Sequence, residues 1–308
     1  MDHITEIAKG DHDISKCYID RESGEIFEEN IVKEGMFNFF NKPGFGTPIG
    51  NVFFNSKLFH RLVKWYCERL ISKPFIKKLI QVGNINEDEA EYSTEDYKSL
   101  NDFFCRRLKP GCRSIEVNED IFISPGDGKL IIKTITDADQ VVIIKGVRIA
   151  IKDLIFSKSL ADRYLGGQIA ILRLYLGDYH RFHFPVSGFA LASAEFPGSF
   201  YPVSPFQTNR SEFYLKNHRI RAELLTKNFG RIVTVMIGGF LISSIQLSYN
   251  PGNVRKGDEQ GYFAFGGSTL VWLSEKGAVF YDDDINENSQ KEIETYVKLG
   301  TQIGRTNI

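Results

Sequence analysis

From about residue 115 to the C-terminus the sequence is written in short β-branched and aromatic runs separated by turns, which limits the fold more than any other feature. The runs cover 121–124, 130–136, 140–144, 168–176, 231–237, 240–247, 269–273 and 278–281. Each is short enough for a strand, and Gly, Asp and Asn crowd the intervals between them. Such text predicts a mostly antiparallel β core. No repeat of fixed period and no low-complexity tract interrupts it.

The N-terminal third reads differently. Residues 1–35 are polar and charged, an extended lead-in, and 36–54 mix phenylalanines with glycines. Within 56–81, Leu58, Leu62, Tyr66 and Leu70 recur at near-helical spacing, and Phe59 and Val63 widen the stripe. Pro74 should break this helix and allow a short second one. Its charge is lopsided, with Lys57, Arg61, Lys64, Arg69, Lys73, Lys77 and Lys78 against Glu68 alone, a net +6. An acidic linker follows, then a helix start or turn at 100–108. The predicted fold is therefore α+β, a β-rich, mostly antiparallel core behind an N-terminal amphipathic helical region. The division falls into residues 1–110 and 111–308.

Bulk properties exclude some functions. A chain of 308 residues can bury one sizeable core. A net charge of −1 gives no global attraction to nucleic acid. The cysteines, Cys17, Cys67, Cys105 and Cys112, show neither a C-x-x-C pair nor metal-ligand spacing with histidine, so a reducing compartment is expected. The first ten residues have no apolar core of a secretory signal. No uninterrupted apolar run reaches the roughly 20 residues that a membrane span needs. Contact with lipid would be made from the surface.

Three segments could carry chemistry. The first, Ser124-Pro125-Gly126-Asp127-Gly128-Lys129-Leu130, is by itself a turn between strands, because Asp and Gly are natural turn formers. The second, Asp178-Tyr179-His180-Arg181-Phe182-His183-Phe184-Pro185, holds two of the six histidines. It could be a polar loop or part of a metal site with His218, although zinc wants a third and usually a fourth protein ligand; no metal is expected. The third runs from Lys256 to Thr269 and ends Gly266-Gly267-Ser268-Thr269. It lacks the G-x-x-x-x-G-K-[ST] of a phosphate loop and leads straight into a strand-like run. A Gly–Gly–Ser step has another use. Without a Cβ on Gly267, a strained backbone can bring the Ser268 hydroxyl onto the preceding carbonyl. Serine needs a base for such an attack, and a histidine held by a carboxylate is one way to supply it. The sequence offers Asp127, His183 and Ser268.

Together, SPGDGKL, DYHRFHFP and KGDEQGYFAFGGST resemble the pyruvoyl-dependent phosphatidylserine decarboxylase proenzyme family. The resemblance extends from Asn101-Asp102-Phe103-Phe104, with Arg106-Arg107-Leu108 after it, to near the C-terminus. It implies self-cleavage between Gly267 and Ser268 into a large chain, 1–267, and a small chain, 268–308. Ser268 would be the self-cleaving serine, His183 the base and Asp127 the aspartate that orients it. An N→O acyl shift, β-elimination and hydrolysis would turn Ser268 into a pyruvoyl group, the only cofactor implied. That ketone would form a Schiff base with the phosphatidylserine amine and act as the electron sink for loss of CO2. His180 matches the family's other histidine, with a role toward substrate or in decarboxylation. The product would be phosphatidylethanolamine. Two departures stand out: Ser243 where glycine is usual, and Gly266 where many members carry a bulkier residue.

A lipid substrate gives the basic front a role at an anionic bilayer, since a cationic amphipathic helix lies at such a surface. The expectation is a peripheral protein on the cytoplasmic face of the cell membrane. Its two chains would stay associated, assembly into a homo-oligomer is compatible with the sequence, and nucleic acid has no part. The helices could instead pack on the β domain with a solvated basic face. Two other classes use the same residues. One is a Ser-His-Asp acyl hydrolase, against which Ser268 lacks a G-x-S-x-G elbow. The other is a β-rich membrane-binding module whose motifs are only turns.

Overall fold

Alternation along the apolar runs sends successive side chains to opposite faces, so a strand buried on both faces builds two cores at once. The computed structural model describes residues 17–28, 56–144, 147–196, 198, 218–238, 245–265 and 268–307. The stretch 36–54, Ser243, Gly266 and the scissile-side Gly267 lie outside the described residues, as does 240–244 of the run expected at 240–247.

The described chain opens with strands β1 (Cys17–Asp20) and β2 (Ile26–Glu28), then helices α1 (Lys57–Cys67), α2 (Phe75–Gly83) and α3 (Leu100–Phe104). Next come β3 (Ile121–Ile123), β4 (Gly128–Thr134), β5 (Val141–Ile144), β6 (Val147–Ala150), α4 (Ile151–Leu154) and α5 (Lys158–Arg163). They are followed by β7 (Gln168–Leu174), β8 (Arg181–His183), β9 (Gly188–Ala190), β10 (Ala194–Phe196), β11 (Arg219–Leu225) and β12 (Arg231–Gly238). The remainder is β13 (Ile245–Leu247), β14 (Gly252–Val254), β15 (Glu259–Phe263), β16 (Ser268–Ser274), β17 (Phe280–Tyr281), α6 (Asp283–Gln290), β18 (Glu294–Val297) and β19 (Gln302–Arg305).

An 11-stranded sheet in the order β14-β9-β11-β12-β16-β7-β4-β18-β1-β2, with β10 beside β11, forms the body. Its pairings are antiparallel except β1 against β18. The α+β, β-rich expectation is met. On one face Leu130, Ala170, Leu172, Met236, Leu270 and Trp272 join a large core; on the other, Ile131, Ile169, Ile171, Val235, Val271 and Leu273 join a second. β16, at the centre, is buried along its whole length. The polar lead-in yields an unexpected element, because β1 pairs with the distant β18 and β2 with β1, which extends this sheet.

The helical front behaves as its caps dictate. Ser56 accepts the Phe59 N–H at the start of α1, and the chain re-enters helix directly after Pro74. Ser99 caps α3 by accepting the Asp102 N–H, while Asp102 reaches back to the Lys98 N–H. Cys67, Ile76, Leu79, Leu100, Phe103 and Phe104 make a third, smaller core that also takes in Ala264. The stripe read from the sequence faces the other way in part. Leu58, Leu62, Trp65, Leu70, Ile71 and Phe75 are exposed, whereas His60 and Cys67 are buried.

Candidate active site

The three motifs meet at one end of the central sheet. Ser268 opens β16 opposite Leu174, near the end of β7, and Gly238, at the end of β12. Gly128 opens β4 opposite Val297. Its φ of +156° and its approach to the Arg173 carbonyl, which a Cβ would meet at 2.9 Å, require glycine there. Asp127 therefore lies about two strand spacings, roughly 10 Å, across the sheet from Ser268. Four residues beyond Leu174 the DYHRFHFP turn begins. The His183 N–H donates to the Pro125 carbonyl over 2.8 Å, which ties this turn to the first motif. The third motif is no loop: its Glu259–Phe263 stretch is β15, paired with β8.

Both motif histidines have one ring nitrogen committed to the backbone. His180 Nδ1 donates to the Asp178 carbonyl at 2.9 Å, and His183 Nδ1 donates to the Gly257 carbonyl at 2.8 Å. A donating Nδ1 leaves Nε2 as the nitrogen that carries the lone pair on each ring. His180 is buried with its ring centre 3.8 Å from that of Phe104. His183 Nε2 lies 3.4 Å from Tyr179 Oη. Burial lowers the His183 pKa, outweighing its bond to Gly257 and the charges of Glu259 and Asp127.

Asp127 has other partners than the one expected for it. Buried at 2% exposure, it accepts from Arg113 Nε and Nη2, the latter at 2.6 Å, and from the Leu299 N–H at 2.8 Å. Arg113 also reaches Glu89 at 2.9 Å. The Gly257 carbonyl thus takes the orienting bond that the sequence suggests for Asp127, and Asp127 acts on His183 through space. A carboxylate held by a guanidinium and a backbone N–H has little reason to turn toward an imidazole.

Around these sits a polar shell that the motifs did not reveal. The Asp178 carboxylate accepts from the Tyr175 N–H at 2.5 Å and Tyr296 Oη at 3.1 Å, and desolvation pushes it up to about 6. Buried Arg106 donates to the Gly177 carbonyl at 2.8 Å and the Asp178 carbonyl at 3.3 Å. Lys129 Nζ stands 4.2 Å from the Tyr18 ring centre, which brings one ring of the N-terminal hairpin beside this end of the sheet. Gly177 packs so tightly on Gly83 that an added Cβ would overlap the Gly83 carbonyl, which seats α2 directly on the turn. Asp178 lies in the DYHRFHFP segment and Arg106 just after Asn101-Asp102-Phe103-Phe104, and a charge set beside apolar residues is the sequence signal that marks both. Arg113 and the Gly257 carbonyl carry no such mark.

His218 pairs with Glu195 at 2.8 Å, apart from the motif histidines. Among the described residues no group of three or more His, Cys, Asp or Glu side chains is placed to hold a metal ion.

A family model described as phosphatidylserine decarboxylase matches residues 100–305. Among similar proteins, a phosphatidylserine decarboxylase proenzyme of Chlamydia trachomatis serovar D is 35% identical over 292 residues, covering 94% of this chain and 96% of the relative. One of Clostridium perfringens strain SM101 is 38% identical over 266 residues, covering 84% and 90%. One of Fusobacterium nucleatum is 36% identical over 294 residues, covering 93% and 96%.

Proposed function

Because this chain belongs to the phosphatidylserine decarboxylase family, we propose that it converts phosphatidylserine to phosphatidylethanolamine and CO2 after cutting itself between Gly267 and Ser268. The observation that carries this reading is local: two histidines with their Nδ1 atoms tied to carbonyls lie beside the segment that runs into Ser268. In this reading residues 111–308 form the catalytic unit, and the products of cutting are chains 1–267 and 268–308.

His183 Nε2 accepts the Ser268 hydroxyl proton as Oγ attacks the Gly267 carbonyl. The Gly267–Ser268 C–N bond then breaks, its nitrogen takes up that proton as a free amine, and an ester is left. Elimination and hydrolysis leave a pyruvoyl group at position 268 and release ammonia. A low His183 pKa suits this task, since it keeps the base neutral near pH 7. Asp127 steadies the positive charge that then develops on the ring. Position 268 fits such a group, because it begins a strand that is buried throughout and paired on both sides. When present, the pyruvoyl ketone supplies the electron sink for decarboxylation of an amine-bearing substrate. His180, packed against Phe104 with Nδ1 anchored, returns the proton after CO2 leaves.

The front supplies access to the lipid. Leu58, Leu62, Trp65, Leu70, Ile71 and Phe75 stand exposed on helices that bear a net +6 charge, the composition of a surface that enters an anionic interface. No helix among the described residues is long and apolar enough to cross a membrane. The reading is peripheral binding at the cytoplasmic face, with 1–110 as the membrane-facing region.

Denaturing electrophoresis with intact mass measurement tests the function. The purified protein should give two chains of 1–267 and 268–308, the smaller without a free amino terminus. Ser268→Ala should stay as one inactive chain. A normally cut Ser268→Ala protein would refute self-processing.

A further inference from the structure

The chain immediately upstream of the cut is held from outside its own sheet. The Phe265 N–H donates to Asn101 Oδ1 at 2.8 Å, from 164 positions away in sequence. The Phe265 ring packs edge-on against Phe104, with centres 5.0 Å apart, and Phe104 on its other contact meets the His180 ring. Ala264 is buried among Leu100, Phe103 and Phe104. Cys105 Sγ lies 3.4 Å from the Phe263 carbonyl, whose own N–H donates to the His180 carbonyl at 2.9 Å. So α3 and the residue after it touch three successive residues, 263, 264 and 265. Downstream, Ser268 is fixed by its pairing with Leu174 and Gly238.

Attack of a hydroxyl on the carbonyl just before it closes a small ring, and its rate depends on how well both flanks are held. Misplacement by about 1 Å can cost on the order of 100-fold. The strand holds one flank. We infer that Asn101 is a positioning residue for self-cleavage: its carboxamide oxygen fixes Phe265, two residues before Gly267, while Phe104 sets the same segment against His180. This rests on the self-cleavage reading above. Asn101 touches none of the reacting atoms and acts through the Phe265 backbone.

Freshly translated full-length precursor, followed by denaturing electrophoresis over time, tests the assignment. Asn101→Leu keeps the bulk and removes the acceptor, and should slow cutting by about 10- to 100-fold. Asn101→Asp restores an acceptor oxygen and should cut within about threefold of the parent, a rescue that a merely space-filling role would not give. Asn101→Ala removes the same acceptor and serves where the leucine variant does not fold, as judged by its thermal midpoint in the Ser268→Ala background. Cutting of Asn101→Leu or Asn101→Ala at the parent rate, with Ser268→Ala uncut, would overturn the positioning role and leave self-cleavage standing. Equal slowing of the leucine and aspartate variants would also overturn it. Cutting of Ser268→Ala would instead remove the reading on which it rests.

Discussion

Replacing Leu62, Leu70 and Ile71 with serine should detach the protein from anionic bilayers without unfolding it. These side chains are 56%, 70% and 63% exposed, so the fold draws little from their burial. Full burial of a Leu or Ile side chain is worth about 1.5–3 kcal/mol. With roughly two-thirds of each surface open, insertion into lipid returns about 1–2 kcal/mol per residue, or about 3–6 kcal/mol for the three. At 1.4 kcal/mol per decade that is a loss of about 10²- to 10⁴-fold in partitioning. Exposed substitutions of this kind move stability by about 0.5 kcal/mol or less, so the thermal midpoint should hold. The assay is co-sedimentation of uncut Ser268→Ala protein with vesicles containing phosphatidylserine, a background in which turnover cannot change the lipid. The residual binding should weaken with salt, because the basic face then acts alone and is screened. A change below threefold with an unchanged midpoint would refute insertion of this face. A loss of self-association in lipid-free solution, with vesicle binding intact, would show that the face meets another copy instead.

Further outcomes concern the site itself. Arg113→Met strips the guanidinium from Asp127, whose side chain is 2% exposed, and leaves it only the Leu299 N–H; breaking such a buried pair costs about 3–5 kcal/mol. Urea unfolding of the uncut protein should show that loss, and a change under about 1 kcal/mol would mean that the pair contributes little. For the histidines, His183→Ala should block cutting and His180→Ala should permit cutting while slowing turnover. Because burial lowers the His183 pKa, the neutral base persists as pH falls through the ordinary histidine value of about 6.5. The cutting rate should therefore drop only below that pH, and an acid limb centred above it would exclude His183 as the base.

Much of this architecture is legible in residue types, and the limits are physical. The apolar runs at 168–176 and 231–237 became β7 and β12 because a strand buried on both faces advertises itself in composition. Pro74 marks where helix restarts, at Phe75, but not where the first helix stops, because α1 already ends at Cys67. By contrast, β15 is missing from the runs legible in the sequence because Glu259 and Gly261 weaken its pattern, and only tertiary pairing of Glu259 with Arg181, at 2.9 Å, accounts for the charge. β1 is four residues whose partner strand lies beyond residue 290, a separation that no local pattern encodes. A stripe also cannot say what it faces. Leu58 and Leu62 were visible as one face of a helix, but whether that face meets protein or water depends on Cys67, Ile76 and Leu79 filling the interior first. In the site, side-chain chemistry singled out the histidines, while the Gly257 carbonyl that fixes one of them is backbone and leaves no trace in residue identity.

The smallest of the three cores explains why a β enzyme carries a helical front. One side of that core is α1 and α2, through Cys67, Ile76 and Leu79; the other is α3, through Phe103 and Phe104, which touch Ala264, Phe265 and His180. The exposed apolar side chains of the front and the segment that leads into Ser268 are thus opposite faces of the same packed layer. Gly83 and Gly177 meet with no space for a Cβ, so α2 cannot shift toward the histidine turn. Packed interiors are dense, compress little and pass strain on as a unit. If the front binds lipid as proposed, a headgroup that reaches it would be presented at a fixed distance from the histidine turn. The rigid sheet sets where Ser268 lies, and in the proposed peripheral binding the helical layer would set where the membrane lies relative to it.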